Sequence, residues 1–294
     1  MRNILVVTGG AGFIGSNLIS EILKFKKFRV LSIDNYSSGL SRNHIKNNRV
    51  RYLKGNTKNI DILLKSYTHK IHSIFHFGEF ARIYQSFKKV NECFSSNIEG
   101  TFNVFNFALK NKIRLIYSAT SASLGNKGED KNLSPYAFSK AKNLELLENL
   151  KRWFHFRCEV IYFYNVYGER QICKGDMATV VGIFEDHFKR GKKMPVVRPG
   201  TQVRRFTHVV DTVKACIFAW KENKHKHYSI ANKQSFSIIE LAKLFKSKIR
   251  YLPKRKGERF ASALTKMNLN NKITRLPAKI RLKDYINNFL INNC

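Results

Sequence analysis

Short apolar runs alternate with longer amphipathic stretches along the first two-thirds of the chain. Residues 4–8, 29–33, 50–53, 73–77, 114–118 and 158–163 are each brief and rich in β-branched, leucine or aromatic side chains, the pattern of buried strands. Between them, residues 15–26, 59–67, 94–109 and 135–153 have the length and spacing of helices. Phe102, Phe105 and Leu109 recur at helical intervals, as do Leu144, Leu147 and Leu150, and both stripes are expected in the core. Strand–helix alternation of this kind predicts an α/β fold, a parallel sheet covered by helices on both faces.

Beyond residue 170 the rhythm loosens. Helices are expected over 178–189, from about Asp211, over 238–245 and over 285–291, with a short strand at 228–231. Residues 253–282 are basic, carry Pro253 and Pro277, and are expected to be largely loop. No internal repeat or low-complexity linker divides the chain. The expected organisation is therefore a first domain over 1–170 and a smaller subdomain over 171–294, packed directly on it and interleaved with it.

The bulk numbers narrow the class. The chain has 294 residues, 43% of them hydrophobic, enough for a sizeable core. No apolar run approaches the roughly 20 residues of a membrane span. Residues 4–7 are too short for a secretory h-region. The cysteines, Cys93, Cys158, Cys173, Cys216 and Cys294, have neither CxxC spacing nor an even count, which fits no disulfide framework and no zinc site. A cytoplasmic protein without a metal is expected. Lys and Arg number 54 against 20 Asp and Glu, a formal charge of +34. Such a balance favours polyanions. The basic residues, however, are spread along the whole chain, as general compositional drift would leave them, and are not gathered into one stripe.

Candidate chemistry begins where the first strand ends. Gly9, Gly12 and Gly15 follow it at intervals of three and precede a helix. Such glycines allow a tight turn, let the backbone approach a pyrophosphate and pack the helix against the sheet, and the helix N-terminus favours the anion. Asp34 closes the second strand, where a carboxylate suits the hydroxyls of an adenosine ribose and repels a 2′-phosphate. No arginine follows it directly, so NAD is the expected cofactor. A second centre lies in Ser134-Pro135-Tyr136-Ala137-Phe138-Ser139-Lys140. Tyr136 and Lys140 are one helical turn apart on one face. A tyrosine with an ordinary pKa of about 10 needs a shift of roughly three units, about 4 kcal/mol, to act as a base near neutrality, and a neighbouring ammonium favours the phenolate. The hydroxyl-rich strand end Ser118–Ser123 places a further donor within reach of the same substrate.

Together these motifs resemble the extended short-chain dehydrogenase/reductase family, in particular its nucleotide-sugar epimerases and dehydratases. The resemblance covers nearly the whole chain. It rests on Thr8–Ser16, Asp34-Asn35, His76-Phe77-Gly78, Asn97 with Gly100-Thr101, the Ser/Thr strand end, Tyr136 with Lys140, Tyr164–Gly168, and the segment from Arg204 to Asp211. It implies a Rossmann-type doubly wound sheet with a smaller C-terminal substrate-binding α/β subdomain. It further implies that Gly9, Gly12, Phe13, Ile14 and Gly15 hold the NAD pyrophosphate and that Asp34 and Asn35 contact the adenosine ribose. Phe77, Gly78 and Asn97 would line the cofactor, and Lys140 would bind the nicotinamide ribose and tune Tyr136. Thr120, five residues before Gly125, matches the catalytic hydroxyl, with Ser121 as the alternative. Asn165, Arg204 and Arg255 match contacts to a substrate diphosphate, for which paired guanidinium forks are well suited. Ser262 falls where a small residue leaves room for a 2-N-acetyl group. A homodimer through the helices at 94–109 and 135–153 is also implied.

Departures from the family pattern shape the choice of reaction. Asn56 replaces an acidic residue, and Glu79 intrudes where small residues are usual. The family's dehydratases and decarboxylases carry a Glu just after the catalytic Thr, whereas this chain has Ser121 and Ala122. Epimerases and reductases remain, and NAD, favoured by Asp34, suits an epimerase of a nucleotide-diphosphate sugar, expected to act at C4 of a UDP-hexose or UDP-N-acetylhexosamine through a transient 4-keto sugar. Two alternatives stay open: an NAD(P)-dependent nucleotide-sugar reductase or other-position epimerase, and a nucleic-acid-binding protein on a reused dehydrogenase fold. His208 is expected to be a structural hydrogen-bonding residue, and Trp153 and Trp220 to be packing residues.

Overall fold

The apolar run Ile-Leu-Val-Val-Thr forms β1 (Ile4–Thr8), buried along its whole length. The structure, a computed structural model, describes residues 2–257 and 273–293. After β1 come α1 (Phe13–Ile22), β2 (Arg29–Asp34), β3 (Val50–Lys54), α2 (Ile60–Leu64), β4 (Ile71–His76), α3 (Ile83–Lys88), α4 (Val90–Phe94), α5 (Thr101–Lys110), β5 (Arg114–Thr120), α6 (Pro135–Phe154), β6 (Cys158–Phe163) and β7 (Asn165–Tyr167). The rest of the chain adds α7 (Val180–Lys189), β8 (Met194–Val197), β9 (Val203–His208), α8 (Val209–Glu222), β10 (His227–Ala231), β11 (Ser235–Ser237), α9 (Ile238–Leu244), β12 (Ile249–Leu252), β13 (Ile273–Pro277) and α10 (Leu282–Ile291).

Eight strands pair in the order β13-β10-β6-β5-β4-β1-β2-β3. Every pairing in that sheet is parallel. Alternate residues of one strand face opposite layers. Ile4 and Val6 join the core beneath α2, α5 and α6, with Phe105, Leu147 and Leu150. Leu5 and Val7 join the core beneath α1 and α8, with Leu18, Val213 and Trp220. This is the doubly wound sheet that the alternation predicts. The chain order reverses at β1, which has β2 on one side and β4 on the other, and the carboxyl ends of β1 and β4 therefore open a crevice. A third core lies under α7, α9 and α10, next to a three-stranded sheet (β11-β9-β7) and a two-stranded one (β12-β8).

Several expectations need correction. Within 253–282 the segment Ile273–Pro277 is a strand, paired in parallel with β10 at the sheet's edge. The helix expected over 94–109 is interrupted by a π-helical turn, Ser95–Gly100, before α5. Phe102 is not core but 49% exposed, because the stripe it belongs to faces away from the sheet. Trp153 is likewise 60% exposed at the end of α6, whereas Trp220 is buried and donates to the Ser73 hydroxyl. His208 caps α8, accepting from the Val210 N–H. Among the described residues, no helix is long and apolar enough to cross a membrane.

Candidate active site

The crevice at the strand ends deepens into a cleft of about 710 Å³. At one end lies the glycine turn. Gly9 has φ +71°, and a Cβ there would come within 2.9 Å of Gly78 N and of the Phe77 carbonyl. Only a residue without a side chain lets the turns after β1 and β4 touch. A Cβ at Gly15 would overlap the Gly9 carbonyl oxygen, so this glycine holds α1 against the turn. Gly12 caps α1 without a side-chain bond, and the first turn carries no acidic residue to compete for an anion.

Asp34 ends β2 beside this turn. Its Oδ2 accepts from Ala11 N at 2.9 Å and its Oδ1 from Tyr36 N at 2.8 Å. Burial pushes its carboxyl above the ordinary value, opposed by those backbone N–H groups. A carboxylate has about four acceptor positions, so capacity remains for ribose hydroxyls. Gly9, Gly12, Phe13, Ile14, Gly15, Asp34 and Asn35 all line the cleft, as do Phe77 and Gly78. A glycine cradle that a Cβ would fill, joined to a carboxylate with acceptors to spare, fits a dinucleotide.

Asn97 lies behind the residues that line the cleft. It is fully buried, with Oδ1 accepting from Phe80 N at 2.7 Å and Nδ2 donating to Phe80 O at 3.0 Å and Ser139 Oγ at 3.1 Å. Its amide is committed to fixing the loop after β4, so it supports the wall of the cleft from behind.

The second centre comes from β5 and α6. Ser134 caps α6 by accepting from Ala137 N at 3.1 Å, and Pro135 occupies the first turn, where its missing N–H is not needed. Tyr136 is thereby set at the helix start, its N–H donating to Ser86 Oγ at 3.2 Å. Thr120 ends β5, its hydroxyl oxygen accepting from Ala122 N at 3.2 Å and its O–H left to donate. Tyr136, Lys140, Thr120 and Ser121 line one cleft with the glycine turn. Asn165, Arg204 and Arg255 line the same cleft, and Asn165 Nδ2 donates to Arg205 O at 3.0 Å. The Arg255 guanidinium lies 5.2 Å from the Tyr84 ring centroid. Ser262 lies outside the described residues.

Two residues enter that the patterns did not assign. The Lys140 ammonium donates to Glu79 Oε2 and to Ser118 O, with both side chains of the ion pair only 4% exposed. Burial draws the Lys140 value down and the Glu79 carboxylate opposes it. Arg82 also lines the cleft, with Nε donating to Met177 O at 3.0 Å and Nη1 to Ala81 O at 2.8 Å. Burial lowers its value too, opposed by the charged form of Tyr136. Among the described residues no group of three or more His, Cys, Asp or Glu is placed to hold a metal.

Comparison with known proteins agrees with this geometry. The chain is 28% identical over 257 residues to the ADP-L-glycero-D-manno-heptose-6-epimerase of Brachyspira hyodysenteriae, covering 83% of this chain and 80% of that one. It is 28% identical over 267 residues to a UDP-N-acetyl-alpha-D-glucosaminuronate decarboxylase of Bacillus cytotoxicus, covering 82% and 79%. The fold is shared with a UDP-glucose 4-epimerase structure from Thermotoga maritima, at TM-score 0.86 and 24% identity over 98% and 97% of the two chains. The model of the NAD dependent epimerase/dehydratase family matches residues 5–231, and the chain belongs to that family, whose cofactor is NAD.

Proposed function

We propose that the protein is a nucleotide-sugar epimerase that inverts C4 of a UDP-hexose or UDP-N-acetylhexosamine through a transient 4-keto sugar. The observation that carries this reading is the shared cleft. Tyr136, Lys140 and Thr120 line one cleft with the glycine turn, and the positions after Thr120 are Ser121 and Ala122, neither able to serve as a carboxylic acid. An acid at that point would assist loss of a 6-hydroxyl or of a carboxylate, and its absence favours return of the hydride to the 4-keto sugar.

Residues 1–170 hold the cofactor in this reading, and residues 171–294 bring most of the sugar-nucleotide contacts. Gly9, Gly12, Phe13, Ile14 and Gly15 receive the pyrophosphate, Asp34 and Asn35 the adenosine ribose, and Phe77 and Gly78 the wall beside the ring. NAD, when bound, supplies a reversible hydride acceptor. Tyr136 as phenolate takes the proton of the sugar 4-hydroxyl as the C4 hydride departs, and returns it when hydride comes back to the other face. Thr120 donates a hydrogen bond to the 4-oxygen throughout. Arg204, Arg255 and Asn165 retain the diphosphate while the flat ketone turns over, since bidentate guanidinium contacts outlast the weaker sugar contacts. Ser262, in the same reading, leaves room for a 2-N-acetyl group.

The test is incubation with a panel of UDP-, GDP- and dTDP-sugars, with products resolved by chromatography. An epimerase interconverts one pair without net consumption of NADH. Tyr136→Phe is expected to cut turnover by roughly 10²–10⁴-fold while NAD binding persists. Turnover at the wild-type rate in that variant, or stoichiometric use of added NAD(P)H, would overturn the reading.

A further inference from the structure

Glu79 stands in the turn after β4, where its N–H donates to Phe77 O at 3.0 Å and both backbone groups of the next residue, Phe80, are held by Asn97. Its carboxylate is fully engaged. Oε1 accepts from Thr101 Oγ1 at 3.0 Å, Tyr117 OH at 3.2 Å and Asn143 Nδ2 at 3.3 Å, and Oε2 accepts from the Lys140 ammonium. The partners come from α5, β5 and α6, so the carboxylate ties three elements together under the cleft floor. Lys140 has three donors in all. One goes to Glu79 and one to Ser118 O, and the ammonium rests 4.3 Å from the Tyr117 ring centroid.

We propose that Glu79 is a positioning residue of the redox site. Its carboxylate fixes Lys140 as a buried, nearly neutral ion pair, so that Lys140 offers the cofactor a single donor and lends Tyr136 little net charge. The inference rests on the roles proposed above for Tyr136 and Lys140 and adds what governs them in this chain. A buried charge acts on its surroundings through the sum of itself and its partner, and an ammonium in contact with a carboxylate presents a dipole where a lone lysine presents a full positive charge. Arg82, in the loop before α3, is a further cation that lines the same cleft as Tyr136. The other titratable groups around the pair are Tyr117 on β5, His76 at the end of β4 and Cys93 on α4. Burial holds the Tyr117 phenol and the Cys93 thiol high and the His76 imidazole low, so all three stay neutral near pH 7. None of them supplies a compensating charge.

The test reads Tyr136 directly in the purified protein without sugar. Phenolate absorbance is titrated in the wild type and in Tyr136→Phe, and the difference gives the Tyr136 midpoint. The same pair of titrations is made in the Glu79→Gln background. Release of the Lys140 charge is expected to lower the Tyr136 midpoint by about one pH unit in Glu79→Gln. A rise, or coincident midpoints while nitrogen NMR shows Lys140 still protonated in Glu79→Gln, overturns the proposal. Should Glu79→Gln fold poorly, Glu79→Gln/Lys140→Met removes both charges together. Its midpoint is expected to stay within a few tenths of the wild type, and a rise of about one unit or more would show that Lys140 acts on Tyr136 unopposed. Because no substrate is involved, a shifted midpoint in a protein that turns over no nucleotide sugar sinks the proposed reaction alone. Epimerisation with an unmoved midpoint and Lys140 still protonated sinks Glu79 alone.

Discussion

His76 links the two halves of the site through side chains that never touch solvent. Phe77 N and Gly78 N donate to Thr8 Oγ1 at 3.1 and 3.0 Å, and Thr8 Oγ1 lies 2.7 Å from His76 Nδ1. His76 Nε2 lies 3.0 Å from Thr101 Oγ1, whose own hydrogen goes to Glu79. The arrangement that satisfies every partner has Thr8 donating to Nδ1 and a neutral ring protonated at Nε2. Burial lowers the His76 pKa to about 4, from an ordinary 6.5. The sign of the linkage follows. Between those values the unfolded chain binds a proton that the folded chain refuses, so stability rises with pH across the window and falls on acidification. The full span amounts to roughly 3 kcal/mol. Thermal unfolding is expected to move to lower temperature as pH drops from 6.5 towards 4, with a shallower slope in His76→Gln. An identical slope in that variant would assign the acid sensitivity elsewhere. The same network explains why Glu79 was visible in the sequence only as an oddity. Its meaning depends on Lys140, 61 positions later, and on Thr101 and Asn143, and no local pattern joins those residues.

At the level of elements, legibility followed burial and locality. β1 and β6 have the bounds that their apolar runs predict, because both are central strands bounded by clear breaks. β13 was hidden because Ile-Thr-Arg-Leu-Pro, the edge strand among the described residues, packs only Ile273 and Leu276 on the cores and breaks any apolar run with Thr274 and Arg275. β8 was masked by Pro195 and β9 by Arg204 and Arg205, of which Arg204 lines the cleft. The π-turn before α5 has no sequence period of its own, and its Gly100 sits where a Cβ would press on Thr57 Oγ1. The glycine turn was the most readable element, because its constraint is local and steric. It also gives a sharp test. In Gly15→Ala the new methyl cannot coexist with the Gly9 carbonyl, so α1 must retreat from the turn proposed to receive the pyrophosphate. NAD affinity is expected to fall by about tenfold or more, some 1.4 kcal/mol, with circular dichroism unchanged. Unaltered affinity would mean that the turn tolerates displacement and that the cradle is not the binding element.

For the whole molecule, one outer face is left uncovered by this chain. Val90, Phe94, Ile98 and Phe102 recur every fourth position from α4 into α5, and all are exposed. Phe138 on α6 joins them, its ring 6.2 Å from that of Phe94. Scattered apolar side chains are ordinary on a surface, but a continuous stripe shared by two adjacent helices marks a contact site. The stripe also explains why the periodicity places Phe102 in the core: it is that of a buried face, and this chain leaves the face exposed. We propose that a second copy covers it, helix pair against helix pair, in a two-fold dimer. The formal charge of +34 argues for a dimer contact confined to such an apolar area, since two copies repel one another elsewhere. Phe138 lies two residues beyond Tyr136 on the same helix, so the contact would also brace the helix start that carries the proposed base. Phe102→Glu/Phe138→Glu is therefore expected to sediment as a folded monomer where the wild type sediments as a dimer. Turnover should fall with it, because a loosened α6 no longer holds Tyr136 against the cleft. A wild type that is monomeric at micromolar concentration would remove the second copy as the partner of this face. A monomeric variant of undiminished activity would separate assembly from catalysis.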